Sequence, residues 1–112
     1  MATDARLQTG FWVGAYRMRL EFQNIPVFVR HKGDEIAGAV LVKLNTLDGS
    51  AQLFQRGFAF DGPRGWEVLA TGEDAVVEAA IARAASRDPD LWVLEIEDAA
   101  GRTLLDEAGL AD

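Results

Sequence analysis

The sequence contains no cysteine and only one histidine among its 112 residues. The missing cysteines exclude disulfides, thiolate metal sites and cysteine nucleophiles. With His31 alone, the chain has no pair of histidines to bind a metal, and neither serine stands in the Gly-x-Ser-x-Gly elbow of a hydrolase. Glycine is frequent, at 11 residues, yet no Gly-x-Gly-x-x-Gly or Walker loop is present. We therefore expect no metal, no cofactor and a function other than catalysis.

Long apolar runs are also missing. No uncharged run reaches about 18 residues, so we expect no membrane-spanning helix. The apolar stretch at residues 11–16 is too short for the core of a signal peptide. The cytoplasm is the expected location, and a reducing compartment fits a chain without cysteine.

Charge is distributed unevenly along the chain, whose formal net charge is −7. Residues 1–60 hold 7 basic and 5 acidic side chains, a net of +2, whereas residues 61–112 hold 4 basic and 13 acidic ones, a net of −9. A basic half can present a local anion-binding patch even on an acidic protein. The simpler interpretation is that the two halves neutralise each other where they pack.

Hydrophobic periodicity and turn residues predict two helices and a sheet. A helix is expected at residues 10–23 after a cap at Thr9, and a second from a capping box at Thr71 and Asp74 to residue 86. Strands are expected at residues 25–31, 36–44, 51–60, 66–70 and 91–97, with a short last strand at 102–105. The order α-β-β-β-β-α-β(β) predicts one α+β domain over residues 1–112, whose mostly antiparallel sheet has four to six strands. The first two strands are expected to form a hairpin around Gly33-Asp34.

The first helix is apolar on more than one side. One stripe contains Phe11, Ala15, Met18 and Phe22, and a second apolar sector contains Trp12, Val13, Tyr16 and Leu20. A helix of this kind is either sandwiched inside the domain or shared with a partner. Surplus apolar surface is typical of protein interfaces, and two-fold dimers are the commonest outcome. The candidate interface residues are Trp12, Tyr16 and Leu20.

A second candidate surface lies on the predicted sheet. Two-residue turns at Gly33-Asp34 and Asp48-Gly49 place Leu41 opposite Arg56 and Lys43 opposite Phe54. One face then collects Phe28, Arg30, Lys43, Asn45, Gln52, Phe54, Arg56 and Phe58. Rings that stack on bases and cations that meet phosphates are typical of single-strand nucleic-acid binding, so the candidate site residues are Arg30, Lys43, Arg56, Phe28 and Phe54. Alternatively, these rings pack beneath the second helix, and a one-residue change of register removes the pattern.

Four stretches carry a resemblance to a known family. They are GFWVGAY at residues 10–16, AGAVLVKLNTLDG at 37–49, DPDLW at 88–92 and RTLLD at 102–106. Together they resemble an uncharacterised bacterial family, number 1491 among the domains of unknown function. The resemblance covers nearly the whole chain and implies a small stand-alone bacterial protein. It implies no activity and no functional residues.

The hypothesis that these observations favour is a non-catalytic protein-interaction or small structural domain of a bacterial cytoplasmic protein, as a homodimer or with another protein partner. The alternative is binding of single-stranded nucleic acid or another anionic ligand at the aromatic and basic sheet face. Metal-assisted hydrolysis at Glu95 and Glu97 is the third hypothesis and the one that the sequence favours least, because a solvated strand face also explains these two carboxylates.

Overall fold

The computed structural model describes the backbone of residues 8–59 and 62–111, and the side chains of residues 8–56 and 65–111. Two helices and five strands follow one another in the predicted order. They are α1 (Thr9–Phe22), β1 (Val27–His31), β2 (Val40–Asn45), β3 (Ser50–Ala59), β4 (Gly62–Glu73), α2 (Asp74–Arg87) and β5 (Trp92–Glu97). The α+β class and the order α-β-β-β-β-α-β are therefore confirmed.

The five strands form one sheet in the order β1-β5-β2-β3-β4. The sheet is mixed, since β2 and β5 run parallel while the other neighbouring pairs are antiparallel. The predicted hairpin of the first two strands is wrong, because β5 lies between them. Gly33 and Asp34 belong instead to a crossover loop in which the Asp34 backbone N–H donates to the Asp90 carbonyl at 2.9 Å. A Cβ on Gly33 would collide with the backbone around Asp90 and Leu91, so only glycine allows this approach.

The two helices cover opposite faces of the sheet. α1 packs on alternate residues of β2 and β5, including Val42 and Leu94, together with Leu105 and Leu110 of the C-terminal segment. α2 packs through Val77, Ala80 and Ile81 on the residues in between, which include Leu41, Leu53 and Val93. Because successive strand residues point to opposite faces, burial on both sides requires the nearly continuous apolar runs that β2 and β5 show.

Several element boundaries differ from the expected ones. β4 continues through Thr71, and α2 begins at Asp74 after a residue that makes no side-chain capping bond, so the predicted capping box is wrong. Residues 62–65, predicted as a loop, belong to β4. Phe60 and Asp61, predicted to end a strand and to begin that loop, lie outside the described residues. Residues 102–105 form turns and irregular backbone instead of a strand.

The β2–β3 register differs from the predicted one by one residue. Leu41 pairs with Gln55, Val42 with Phe54 and Lys43 with Leu53. The cause is a connection of three residues, in which Leu47 and Gly49 have positive φ angles of 65° and 89° and the Thr46 N–H bonds to the Ser50 carbonyl at 3.3 Å. A loop one residue longer than assumed moves every β3 side chain to the other face.

Candidate functional site

The register divides the predicted aromatic and basic face between two sides of the sheet. Phe28, Arg30, Lys43 and Asn45 lie on the side covered by α2, since Phe28 pairs with Glu95 and Lys43 lies beside the same Glu95. Phe54 and Arg56 lie on the side covered by α1, and the side chain of Phe58 is outside the described residues. The structure therefore brings Arg30 and Lys43 together but separates them from Phe54 and Arg56.

Lys43 is the centre of an ion cluster on the α2 side. Its side chain is 3% exposed, and its Nζ lies 2.5 Å from Asp74 Oδ1, 2.6 Å from Glu78 Oε2 and 3.7 Å from Glu95 Oε2. Asp74 and Glu78 stand one turn apart at the start of α2, so their carboxylates share one face of the helix. The cluster joins the first turns of α2 to β2 and β5.

Arg30 completes this cluster from the edge strand β1. Its guanidinium binds both carboxylate oxygens of Glu78, at 2.6 and 2.8 Å, and Glu95 Oε1 at 3.2 Å. Asn45 Nδ2 also donates to Glu95, at 3.3 Å. The hydrogen bonds from Arg30, followed by those from Lys43, lower the pKa of Glu78 from 4.5 to about 2. Burial lowers the pKa of Lys43, but its bonds to Asp74 and Glu78 outweigh this effect and raise it.

Two of the three cations of the predicted anion site, Arg30 and Lys43, are thus bonded to carboxylates of the same chain. Two positive groups face three negative ones, those of Asp74, Glu78 and Glu95. A phosphate placed here would meet a net negative cluster and would have to displace charge-assisted hydrogen bonds. This geometry supports a structural role, in which the ion pairs hold α2 to the sheet, more directly than it supports nucleic-acid binding. Phe28 is half exposed beside this ion cluster. Its basic neighbours, Arg30 and Lys43, are both bonded to carboxylates.

Arg56 and Phe54 take part in a different arrangement beneath α1. The Arg56 guanidinium lies 5.3 Å from the ring centroid of Trp12 and 5.2 Å from that of Trp66, within cation–π range of both. Phe54 lines a neighbouring open cleft of about 280 Å³. The other lining residues are Gly65, Trp66, Thr103, Leu105, Asp106 and Ala111. The cleft is largely apolar, and Trp66 Nε1 is already bonded to the Leu110 carbonyl at 3.1 Å.

The candidate interface residues of α1 lie in the core. Trp12, Tyr16 and Leu20 are buried against the sheet, and the Tyr16 hydroxyl donates to the Thr103 carbonyl at 2.8 Å. Burial raises the pKa of this hydroxyl well above its usual value of 10.0. These three residues are therefore not on the surface of the single chain.

The surface of α1 carries the other apolar stripe. Phe11 and Met18 are each 71% exposed, and Phe22 is 86% exposed. With Ala15 they follow the 4-3-4 spacing of core positions in a coiled coil, and no charged residue interrupts them. We call these four residues the outer stripe. The spacing was visible in the sequence, but nothing local distinguished the stripe that the sheet covers from the one left outside.

Two other features, a metal-binding cluster and a membrane-spanning helix, are not found among the described residues. No group of three or more histidine, aspartate or glutamate side chains within residues 8–59 and 62–111 is arranged to hold a metal ion. In the same part of the chain, no helix has the length and apolar character required to cross a membrane.

The protein is an α+β domain with a mixed five-stranded sheet and one helix on each face of that sheet. The family model described as "Protein of unknown function (DUF1491)" matches residues 7–106, so the chain belongs to the DUF1491 family. Among curated proteins, none matches the chain.

Similar solved structures include proteins from Caulobacter crescentus and A. tumefaciens. The crystal structure of a DUF1491 family protein from Caulobacter crescentus is 41% identical, covers 91% of this chain and 97% of its own, and has a TM-score of 0.83. An NMR structure of a DUF1491 family protein from the same organism is 42% identical, covers 90% and 94%, and has a TM-score of 0.80. The solution structure of protein Atu0922 from A. tumefaciens is 32% identical, covers 82% and 86%, and has a TM-score of 0.70.

Proposed function

We propose that this chain is a non-catalytic interaction domain of the bacterial cytoplasm, which pairs with a second copy of itself through the outer stripe of α1. The observation that carries the proposal is the exposure of Phe11, Met18 and Phe22 on one side of a helix whose other side is fully covered. Its bacterial part is supported by the origin of the related structures.

The size of the outer stripe supports a second copy as its occupant. A large apolar side chain presents roughly 150–250 Å². Three such side chains at these exposures, with Ala15, offer roughly 400–500 Å² per chain. Two copies together would bury roughly 800–1,000 Å², near the lower limit of specific interfaces and in the range of weak, reversible ones. A weak homodimer is therefore the expected assembly.

The composition of the outer stripe also suits pairing with itself. A surface without charge, repeated on both copies, can be buried without leaving an ion unpaired. Exposed Gly14 lies beside the stripe, with no atom within 4 Å of the position that a Cβ would take, so the backbone of a second helix can approach closely there. The two features together favour a helix, rather than a strand or a phosphate backbone, as the partner surface.

The test is a concentration series in sedimentation velocity, with Phe22→Lys as the interface variant. We expect the unchanged protein to show a reversible monomer–dimer equilibrium and Phe22→Lys to weaken it by about tenfold or more, because an exposed ring of the stripe is replaced by a charge that must be desolvated. Lysine lowers the net negative charge of each copy, so increased repulsion cannot explain the loss.

Val76→Lys is the matched control. Val76 is also exposed on a helix, but it lies on α2, away from the outer stripe, and its replacement changes the net charge equally. This variant is expected to dimerise like the unchanged protein. A chain that stays monomeric at every concentration, or a dimer that Phe22→Lys leaves intact, would overturn the proposal.

A further inference from the structure

The outer stripe also has a direction, which decides how two copies of α1 meet. Two copies of α1 whose outer stripes overlap along their whole length and are related by a two-fold axis run either parallel or antiparallel. In a parallel pair each residue meets its own copy, whereas an antiparallel pair centred on the stripe places Phe11 opposite Phe22 and Ala15 opposite Met18. The two arrangements therefore fill the space between the helices differently.

Side-chain volume favours the antiparallel arrangement. Phe rings meet at both ends of the stripe in either arrangement and hold the helices apart, so the two Ala15 side chains that face each other in a parallel pair leave a gap. In an antiparallel pair the small Ala15 receives the long, flexible Met18, so large and small side chains alternate along the seam. Even filling of this kind leaves no void at the centre of the interface.

The surroundings of the two helix ends point the same way. Ile36 is exposed beside the first turn of α1, where the Thr9 N–H bonds to the Ile36 carbonyl at 3.2 Å. Phe22, the most exposed ring of the outer stripe, stands at the opposite end. Antiparallel pairing brings each Phe22 to Phe11 of the other copy, at the helix end beside which Ile36 is exposed. It also places the positive end of each helix dipole beside the negative end of the other.

We infer that two copies of this chain pair their α1 helices antiparallel, with Ala15 of each copy packed against Met18 of the other and the two-fold axis crossing the outer stripe midway between Ala15 and Met18. The inference rests on the proposed function, because it specifies the partner surface for the same stripe. It distinguishes this dimer from a parallel coiled coil with the same exposed residues.

The absence of cysteine allows a direct test by disulfide exchange. Ala15→Cys and Met18→Cys chains, distinguished by mass, are mixed in equal amounts and oxidised in a glutathione buffer until exchange reaches equilibrium. In the antiparallel dimer, the thiol of an Ala15→Cys chain faces that of a Met18→Cys chain. Thiols of two identical variants are displaced by three residues, about 4.5 Å along the axis, which strains a disulfide. The mixed disulfide is therefore expected to exceed each symmetric product several-fold, well beyond its share in random pairing.

Two further measurements separate the failure of this inference from that of the proposed function. Sedimentation of the unmodified chain establishes whether a dimer exists. A dimer in which each variant forms its disulfide mainly with its own kind is parallel, which would overturn the antiparallel pairing and leave self-association intact. Val76→Cys mixed with Ala15→Cys is the collision control. If it yields as much mixed disulfide as the interface pair, the helices do not meet, and both proposals are wrong.

Discussion

Lys43 keeps its charge in a strand that has no other charged residue, and the ion cluster explains how. The side chain is 3% exposed, but three carboxylates from α2 and β5 surround its ammonium group. Local sequence patterns placed Lys43 on an aromatic and basic sheet face and left open whether that face was exposed or lay beneath the second helix. They could not show that Asp74 and Glu78, more than 30 residues away, begin a helix directly above it. Burial of a charge depends on such long-range partners.

Replacing Lys43 with methionine tests the stabilising role of this charge. Methionine keeps the unbranched stem but leaves Arg30 as the only cation of the cluster. Loss of one partner of a buried ion pair costs about 3–5 kcal/mol, and the partial exposure of Asp74 and Glu78 reduces the expected loss to about 1–3 kcal/mol. The measurement is the free energy of unfolding from urea denaturation.

Lys32→Met serves as the control for that experiment. Its ion pair with Glu35 is exposed, at 68% and 58%, and exposed pairs contribute about 0–1 kcal/mol. If Lys43→Met is no more destabilising than Lys32→Met, the cluster does not hold α2 to the sheet.

At the scale of elements, hydrophobic periodicity located the helices and strands, but it did not show which strands lie next to each other in the sheet. The alternation in β5 and the apolar run of β2 both predicted strands correctly. Their parallel pairing was not predicted, because a strand that inserts between two earlier ones leaves no local signal. The register between β2 and β3 was predicted wrongly for a similar reason. The sequence does not distinguish a three-residue loop at Leu47–Gly49 from a two-residue turn at Asp48-Gly49. In α1, both apolar stripes were found, but both were equally suited to packing on the sheet.

The attachment of α2 to the sheet is expected to weaken in acid. The pKa of Glu78 falls from 4.5 to about 2 on folding, chiefly through its hydrogen bonds to Arg30. A lowered folded-state pKa contributes stability that is present above the unfolded value and is lost as the pH falls toward the folded value. The stability due to Glu78 should therefore disappear between pH 4.5 and about 2.

Glu78→Gln isolates this contribution from that of other carboxylates. We expect the variant to be less stable than the unchanged protein at pH 7 and to lose less stability between pH 4.5 and about 2. Urea denaturation at several pH values gives the difference between the two curves. Glu21→Gln, on the exposed side of α1, is expected to leave that slope unchanged. Parallel curves for Glu78→Gln and the unchanged protein would contradict the assignment.

At the scale of the whole molecule, the sign of the salt dependence distinguishes the two functions considered for this chain. Each copy has a formal net charge of −7, so two copies repel each other before the outer stripes meet. Salt screens this repulsion between charges that are farther apart than the Debye length, which is about 10 Å at 0.1 M. The burial of apolar side chains does not depend on ion pairs, so salt does not weaken it in this way. The dimer dissociation constant should therefore fall several-fold as salt is raised from low to physiological strength, measured by sedimentation equilibrium.

Binding of a nucleic acid would show the opposite trend, because release of counterions from phosphate makes the logarithm of the binding constant fall linearly with the logarithm of the salt concentration. Arg30 and Lys43 already bind carboxylates, and Arg56 lies against the rings of Trp12 and Trp66 on the other side of the sheet. A dimer that weakens with salt would show that ion pairs, and not the outer stripe, hold the copies together. A dimer that strengthens with salt and is lost in Phe22→Lys is what apolar pairing of two acidic chains requires.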